Sequence, residues 1–270
     1  MKGRNMNSGV YVKDLSVHLH LDKLESSLII IDELKKIWNG KVYVSLNDDS
    51  ENNTTLLDRL VESFDHVDPV IVKNMGNDQF GFIKSFKGNQ DNTAYTLYMH
   101  DRTDLDKFKE ATYPILRFPG GIEALIKHMN EMDIGIAASG QTKEVMLSMY
   151  ELDISHGAGF LSPTFDKYDV SAKAEYRVGA MRPMQTTLWF NELTKWARHH
   201  TNQMLPTIYP EFSGGNCFLA RNEIIKLAHK CTPEEFFEEG YKPDGKVEHA
   251  LERLYFYISN TIYNLPTMWV

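Results

Sequence analysis

Short apolar runs and longer periodic stretches alternate along the first half of the chain. Alternating apolar and polar positions predict strands, and apolar residues that recur every three or four positions predict helices. The predicted strands lie at 15–21, 41–46, 69–74, 94–100 and 134–139, and the predicted helices among them lie at 23–38, 54–64 and 121–132. This alternation is typical of an α/β fold with a mainly parallel central sheet flanked by helices.

The pattern changes after residue 140. Residues 141–183 show no clean period and mix Gly, Pro, Ser and Asp, which predicts loops able to order over a ligand. Further helices are predicted at 186–200, 222–230 and 247–258, with a strand near 213–220 and a short helix near 232–236. No repeat or low-complexity linker divides the sequence. We therefore expect a single domain over 1–270, with a nucleotide-binding half at 1–140 and an acceptor and catalytic half at 141–270.

The last predicted helix carries polar groups that packing alone does not explain. At 100° per residue its apolar side chains form one stripe, as expected for a helix that faces a core. His249 and Arg253, one turn apart, fall on the opposite side. Asp244 stands where an N-cap belongs. The pattern fits a capped amphipathic helix with a solvated far face, or a helix whose polar residues have a chemical role.

Composition narrows the classes of partner. The 270 residues are 42% hydrophobic, enough for a sizeable core, and carry a formal net charge of −8. No basic block is present, which disfavours nucleic acid and a polybasic membrane anchor. Cys217 and Cys231 are too few for a zinc site or a disulfide framework and indicate reduced thiols. Because neither a signal peptide nor a membrane-spanning apolar run is present, we expect a cytoplasmic protein, with peripheral membrane attachment through a partner left open.

Polar residues follow the third predicted strand. Ligands of an open parallel sheet bind beyond the carboxyl ends of its strands, so residues at these positions are candidates for binding. Asn74 and Gly76 permit a tight turn with exposed backbone N–H groups, and Asp78 can cap the next helix or bond a sugar hydroxyl. Turns of this kind are common, so a purely structural turn is an equal alternative.

The fourth predicted strand ends in the run HDRTD at 100–104. Asp101 and Asp104 can form a variant of the acidic clamp that holds Mg²⁺ or Mn²⁺ against a diphosphate. His100 or Arg102 can instead contact the diphosphate directly. The alternative is a charged turn in which Asp104 caps the following helix.

Two histidines of the first strand, His18 and His20, share one face, as metal ligands do. Hydrogen-bonded core histidines are the more common explanation for such a pair. No nucleophile motif, P-loop or G-x-G-x-x-G fingerprint is present, which disfavours nucleophilic hydrolases and common cofactor enzymes. A metal-dependent phosphohydrolase that uses His18, His20 and Asp101 remains a minor alternative.

Taken in order, these segments resemble the rhamnan synthesis protein F family, bacterial glycosyltransferases of polysaccharide assembly. The first strand VHLHL, the Asn-x-Gly-x-Asp turn at 74–78 followed by Phe82, and part of HDRTD are similar to motifs of that family. The family's lysine is absent from HDRTD, where extra acids stand. The more specific likeness is C-terminal and is carried by Gly215, Phe218, Arg221, Asp244, Gly245, His249, Ala250, Glu252 and Arg253.

The resemblance implies a GT-A-like fold, with a Rossmann-type mainly parallel sheet and a helical C-terminal segment. It also implies a hexosyltransferase that moves rhamnose or another hexose, with inversion, from a UDP-, dTDP- or GDP-sugar to a glycan acceptor. Because HDRTD departs from the family pattern, the alternative is a catalytically lapsed nucleotide-sugar or glycan-binding module of a polysaccharide-assembly system.

The resemblance assigns roles to several residues. The end of the chain looks like that of larger inverting GT-A families, in which a carboxylate is the base, so the expected base is Asp244 or else Glu239. His249 and Arg253 would offset the charge of the diphosphate or hold Asp244 in position. The other expected donor contacts are His18, Asn74, Gly76, Asp78, His100 and Arg102, and the expected ligands of Mn²⁺ or Mg²⁺ are Asp101 and Asp104.

Overall fold

A computed structural model describes residues 14–88, 92–146, 170–205, 207–239 and 246–270. The strands are β1 (Leu15–Leu21), β2 (Lys41–Asn47), β3 (His66–Val72), β4 (Tyr95–His100), β5 (Ile136–Ala138), β6 (Lys143–Val145), β7 (Glu211–Ser213), β8 (Phe218–Arg221) and β9 (Thr267–Trp269). The α-helices are α1 (Leu24–Leu34), α2 (Asn53–Ser63), α3 (Asn77–Gly88), α4 (Leu105–Leu116), α5 (Gly121–Glu131), α6 (Val170–Thr201), α7 (Asn222–Lys230) and α8 (Val247–Tyr257). Helix α8 continues into a π-helical turn at Ile258–Ile262.

One mixed sheet runs through the molecule in the order β3-β2-β1-β4-β8-β5-β9. The β1–β2, β1–β4, β2–β3 and β5–β9 pairs are parallel, whereas β8 is antiparallel to both of its neighbours, β4 and β5. Strands β6 and β7 form a separate antiparallel pair. The expected α/β class and mostly parallel central sheet are confirmed. Within the described ranges, no helix combines the length and apolar character needed to cross a bilayer.

The two faces of the sheet bury different side chains because strand residues alternate in direction. We call the side covered by α1, α2, α4 and α5 the aliphatic face; Val17, Leu19 and Leu97 point there. We call the side covered by α3, α6, α7 and α8 the aromatic face. It holds Phe82 and Tyr98 among other rings. Strand β1 is buried along its whole length, so helices cover both of its faces.

Helix α3 was not predicted as an element, and the reason lies in Gly81. Glycine disfavours a helix interior by about 1 kcal/mol, which weakens the sequence signal for a helix. At this position a Cβ atom would lie 2.4 Å from His20 Nδ1 and 2.6 Å from Ser45 Oγ. The close approach of α3 to β1 and β2 therefore requires glycine, and packing overrides local propensity.

Helix α8 corrects two expectations. It begins at Val247 behind Lys246 as N-cap, where His249 Nδ1 accepts a 3.3 Å hydrogen bond from the Lys246 backbone N–H. The expected N-cap, Asp244, lies outside the described residues. The expected solvated far face is wrong, since His249 is 7% exposed and Phe256 is fully buried. Helix α8 packs against α3, α6, α7 and β7 at once, so its polar side is covered as well as its apolar stripe.

Candidate functional site

Asp78 lies in a buried polar cluster at the carboxyl ends of β1 and β4. It follows a tight turn at Gly76, whose φ of +62° is a left-handed conformation that favours glycine. His20 and His100, from the ends of the two strands, contribute to the electrostatic environment of Asp78. The cluster is therefore at the edge of the sheet where the sequence predicts a ligand.

One oxygen of Asp78 is held by three donors. Oδ2 accepts hydrogen bonds from Tyr98 Oη at 2.8 Å, Gln79 Nε2 at 2.9 Å and Asn216 Nδ2 at 2.6 Å. The Oδ1 atom accepts none from the part of the chain that the structure describes. Asp78 is 8% exposed, so its orientation is fixed while one oxygen keeps its capacity to accept a bond.

Asp78 is ionised at neutral pH. Burial alone raises its pKa, but His100 and His20 and the hydrogen bonds donated to the carboxylate outweigh burial and bring the pKa down to about 2. Burial lowers the pKa of both histidines, although Asp78 partly offsets this for each of them. The cluster therefore presents a carboxylate flanked by two imidazoles.

A chain of buried hydrogen bonds links Asp78 to α7 and α8. Gln79 Oε1 accepts a 3.0 Å bond from Tyr255 Oη, and that hydroxyl lies 2.9 Å from His229 Nε2. Burial lowers the pKa of His229 to about 3, so its imidazole is neutral. Because Gln79 also donates to Asp78, the helices of the aromatic face help to set the position of the carboxylate.

The two acids of HDRTD accept hydrogen bonds from backbone N–H groups near the starts of α1 and α4. Asp101 Oδ2 accepts hydrogen bonds from the backbone N–H groups of the turn before α1 and from Ser27 Oγ at 2.6 Å. Asp104 caps α4 through two 3.1 Å hydrogen bonds from first-turn N–H groups, as its structural alternative predicts. Across the described ranges, no cluster of three His, Cys, Asp or Glu residues is arranged to hold a metal. Asp101 uses only Oδ2 and Asp104 only Oδ1 in these hydrogen bonds, so the metal role of the two acids stays a prediction.

His100 and Arg102 of HDRTD contact the turn before β8. His100 Nε2 lies 3.0 Å from the Gly215 carbonyl oxygen, and an Arg102 terminal N–H donates to the Gly214 carbonyl at 2.7 Å. The buried Arg102 Nε has no hydrogen-bond partner among the described residues. This turn also delivers Asn216, whose φ of +47° is left-handed and which was not predicted as a site residue.

Three further predicted residues are not among the hydrogen-bond donors to the Asp78 carboxylate. His18 is fully buried, stacks on Tyr43 and lies 3.2 Å from Ser85 Oγ, contacts typical of a core histidine. Exposed Asn74 donates to the Asp49 carboxylate at 3.1 Å. Glu239 is exposed, and its backbone forms an isolated bridge with Met75 beside the Gly76 turn.

Arg253, expected to counter the charge of a diphosphate, lies along α8 in contact with its own helix and with β7. Its guanidinium donates to the His249 carbonyl oxygen and lies 4.3 Å from the centre of the Phe212 ring. The side chain is 13% exposed, so neighbouring groups cover most of it, and its role at a diphosphate stays a prediction. The positive charge is nevertheless close to the start of α8, where His249 also lies.

Glu248 is a buried acid that was not among the predicted residues. It is fully buried, and neither carboxylate oxygen has a hydrogen-bond partner within the described ranges. Burial raises its pKa to about 7, against the opposing charge of Lys246. A sequence signal existed: Glu248 falls three and seven residues before Leu251 and Tyr255, within the apolar stripe of α8. An acid in that stripe is a candidate functional group.

Comparisons with known proteins assign no family. No protein-family model matches the chain, and no curated protein matches it. The likeness to the rhamnan synthesis protein F family therefore rests on the motifs quoted above, and function must be argued from the site.

Proposed function

We propose that the protein is a glycosyltransferase that moves a hexose from a nucleotide-diphosphate donor to a glycan acceptor. The single observation that carries this proposal is Asp78, an ionised carboxylate at the carboxyl edge of the parallel strands. Three donors hold one of its oxygens, and no described residue bonds the other. A fixed carboxylate of this kind suits the hydroxyls of a sugar or ribose. The mostly parallel sheet is compatible with a GT-A-like fold.

The proposed transfer inverts the anomeric centre. The acceptor hydroxyl oxygen bonds to the anomeric carbon as the bond from that carbon to the diphosphate oxygen breaks, and the electron pair leaves with the nucleoside diphosphate. The hydroxyl proton passes to a carboxylate base, and positive groups stabilise the departing diphosphate. Asp244, and Glu239 after it, remain the proposed bases, with Arg102, His249 and Arg253 as the groups near the diphosphate.

A second candidate function is a nucleotide-sugar or glycan-binding module without transfer activity. The structural hydrogen bonds of Asp101 and Asp104 favour it, because they account for the position of both acids without a metal or a diphosphate. The two candidates differ in one measurable property. Slow release of nucleoside diphosphate in the absence of acceptor is expected of the enzyme alone.

Donor binding can be tested by thermal unfolding with UDP-, dTDP- and GDP-sugars. A ligand that binds only the folded state at 100 times its dissociation constant stabilises that state by about 2.7 kcal/mol, so at least one donor should raise Tm. Asp78→Asn should weaken that donor's binding about tenfold or more, since hydrogen bonds to a charged group contribute about 1.5–3 kcal/mol. The exposed Asp58→Asn on α2 is the matched control. A parent protein that responds to no donor, or an Asp78→Asn variant with the full response, contradicts the proposal.

A further inference from the structure

A cleft of about 440 Å³ opens between α6 and the segment that leads into α8. Part of its lining is apolar and aromatic, from Leu188, Trp189 and Phe236, and part is polar, from Gln185, Glu192 and Glu238. It lies apart from the Asp78 carboxylate itself. The mixture of ring faces and hydrogen-bonding groups is that of a small-molecule site.

The α6 side of the cleft is a single helix face. Residues 185, 188, 189 and 192 recur at the spacing that places side chains along one stripe. The opposite face, with Phe190 and Leu193, is buried in the aromatic-face core. Leu188 is 52% exposed, so the stripe keeps large apolar groups in contact with solvent. Trp189 is partly buried against the same core, so the exposed Leu188 and the accessible part of the Trp189 ring form the apolar surface that is open to a ligand.

Ion pairs link the aromatic wall of the cleft to the helix that carries Asp78. The Trp189 and Phe236 ring centroids are 5.1 Å apart with their planes tilted by 43°. Phe236 belongs to a 3₁₀ turn at Glu234–Phe236. Glu234 of that turn forms ion pairs with Lys84 and Lys87 of α3. The wall and Asp78 are therefore supported by the same helix.

The cleft is also continuous with the proposed catalytic region. Glu238 borders the cleft, and its backbone carbonyl accepts hydrogen bonds of 3.2 Å from the Gly76 N–H and of 3.2 Å from Lys246 Nζ. Lys246 and Val247 border the cleft as well, directly ahead of the buried Glu248. A molecule in the cleft would sit beside Lys246 and Val247, at the start of α8.

We propose that this cleft binds a sugar ring of the glycan acceptor, with the ring stacked on Trp189 and its hydroxyls bonded to Glu192 and Glu238. A sugar ring has an apolar C–H face and an edge of hydroxyl donors, which match the aromatic wall and the two carboxylates. Both lysines beside the cleft are already engaged, Lys195 with Glu192 and Lys246 Nζ with the Glu238 and Glu239 carbonyl oxygens, which disfavours a phosphate or an anionic lipid headgroup. The role as acceptor site rests on the proposed transfer, whereas the binding of a saccharide does not.

The experiment is saturation-transfer NMR with three probes: maltotriose, chitotriose and methyl α-L-rhamnoside. At least one probe should receive saturation from the parent protein, and Trp189→Ala should raise its dissociation constant about tenfold. Trp196→Ala is the matched control, because Trp196 is 42% exposed on the same helix, packs on Phe236 and does not line the cleft. It should bind within about twofold of the parent. Trp189→Phe, which keeps a ring at the position, should retain most of the affinity.

Two results overturn the cleft as a saccharide site: no probe receives saturation from the parent, or Trp189→Ala binds as the parent does. Circular dichroism of each variant verifies that it is folded. The donor titration above separates this proposal from the proposed function. A protein that responds to a nucleotide sugar but to no saccharide probe loses only the cleft. A protein that binds a probe through Trp189 but no nucleotide sugar keeps the cleft and loses the transferase.

Discussion

The two faces of the central sheet are built from the same strands, but one buries mainly apolar side chains and the other buries polar groups among aromatic rings. In β1, Val17 and Leu19 enter the aliphatic face, while His18 and His20 enter the aromatic face. The aliphatic face relies mainly on side chains without polar atoms. The aromatic face holds imidazoles, hydroxyls and an amide that bond one another as far as Asp78. One side of the sheet thus supplies stability alone, and the other couples stability to the geometry of the site.

Aromatic packing provides that coupling. The Phe82 and Tyr98 rings stack with centroids 3.9 Å apart and planes 11° apart, and Tyr98 donates to Asp78. The Phe82 ring also meets His229 edge-on at 4.9 Å. A change in this aromatic packing therefore moves hydrogen-bonding groups such as Tyr98. A change among the side chains of the aliphatic face does not move them.

The largest expected effects on stability are those of Leu97→Ala on the aliphatic face and Phe82→Ala on the aromatic face. Both side chains are fully buried, so each change should lower the free energy of unfolding by about 3–5 kcal/mol in chemical denaturation. Only Phe82→Ala should also weaken donor binding, by about 3- to 10-fold, since the lost aromatic pair contributes about 0.5–1.5 kcal/mol to holding Tyr98. If Leu97→Ala weakens binding equally, the two faces do not differ in the way described. Phe82→Leu serves in place of Phe82→Ala if the alanine variant does not fold.

A pH titration of Glu248→Gln should have the next largest effect. The pKa of Glu248 rises from its usual 4.5 to about 7 in the folded protein, so the folded state keeps a proton that the unfolded chain loses. The parent should therefore lose stability as pH rises from about 4.5 to about 7, by about 3 kcal/mol, and keep that loss at higher pH. Glu248→Gln should remove this loss and be the more stable protein at pH 8. Exposed Glu51→Gln is the control, and equal pH dependence in parent and Glu248→Gln contradicts the assignment.

The smallest expected effect comes from single hydroxyls. Tyr255→Phe removes the bridge between His229 and Gln79 and should lower the free energy of unfolding by about 1–2 kcal/mol. Tyr95→Phe removes one hydrogen bond to Asn130, from a tyrosine packed on the aliphatic face, and should cost about 1 kcal/mol. Donor binding should weaken in Tyr255→Phe alone. If donor binding is unchanged in both variants, the hydrogen-bond chain through Tyr255 does not affect Asp78, and the coupling depends on the aromatic packing alone.

Hydrophobic periodicity predicted the bounds of an element correctly where the element's own residues determine them. Strand β1 and helix α7 have the predicted bounds, 15–21 and 222–230. Periodicity failed where contacts with neighbouring elements determine whether a segment is helical or buried. Helix α3 tolerates Gly81 because the sheet is so close, and the far side of α8 is buried because other elements cover it. The single predicted strand near 213–220 is two strands, β7 and β8, separated by the turn that carries Asn216.

The site was predictable only at its centre. Asp78 follows a strand and a tight turn, which is a local signal. Asn216, which holds it, is 138 residues away, and Tyr255 is 176 residues from the glutamine it bonds. Such partners have no spacing that a single sequence reveals. The capping of α4 by Asp104 was one of its two predicted roles, whereas the bonds of Asp101 to the turn before α1 depend on where α1 lies in space.

The late position of β8 in the chain governs when Asn216 can reach Asp78 during folding. Strands β1 to β4 are next to one another in the sheet through crossovers of modest length, but β8 enters between β4 and β5 from late in the chain. Closing loops of that length is slow, so we expect Asn216 to reach Asp78 after the first four strands have paired. A nascent chain that ends before residue 216 leaves the β4 and β5 edges uncovered and prone to pair with other chains. Completion of the Asp78 cluster and protection from aggregation are thus the same late event.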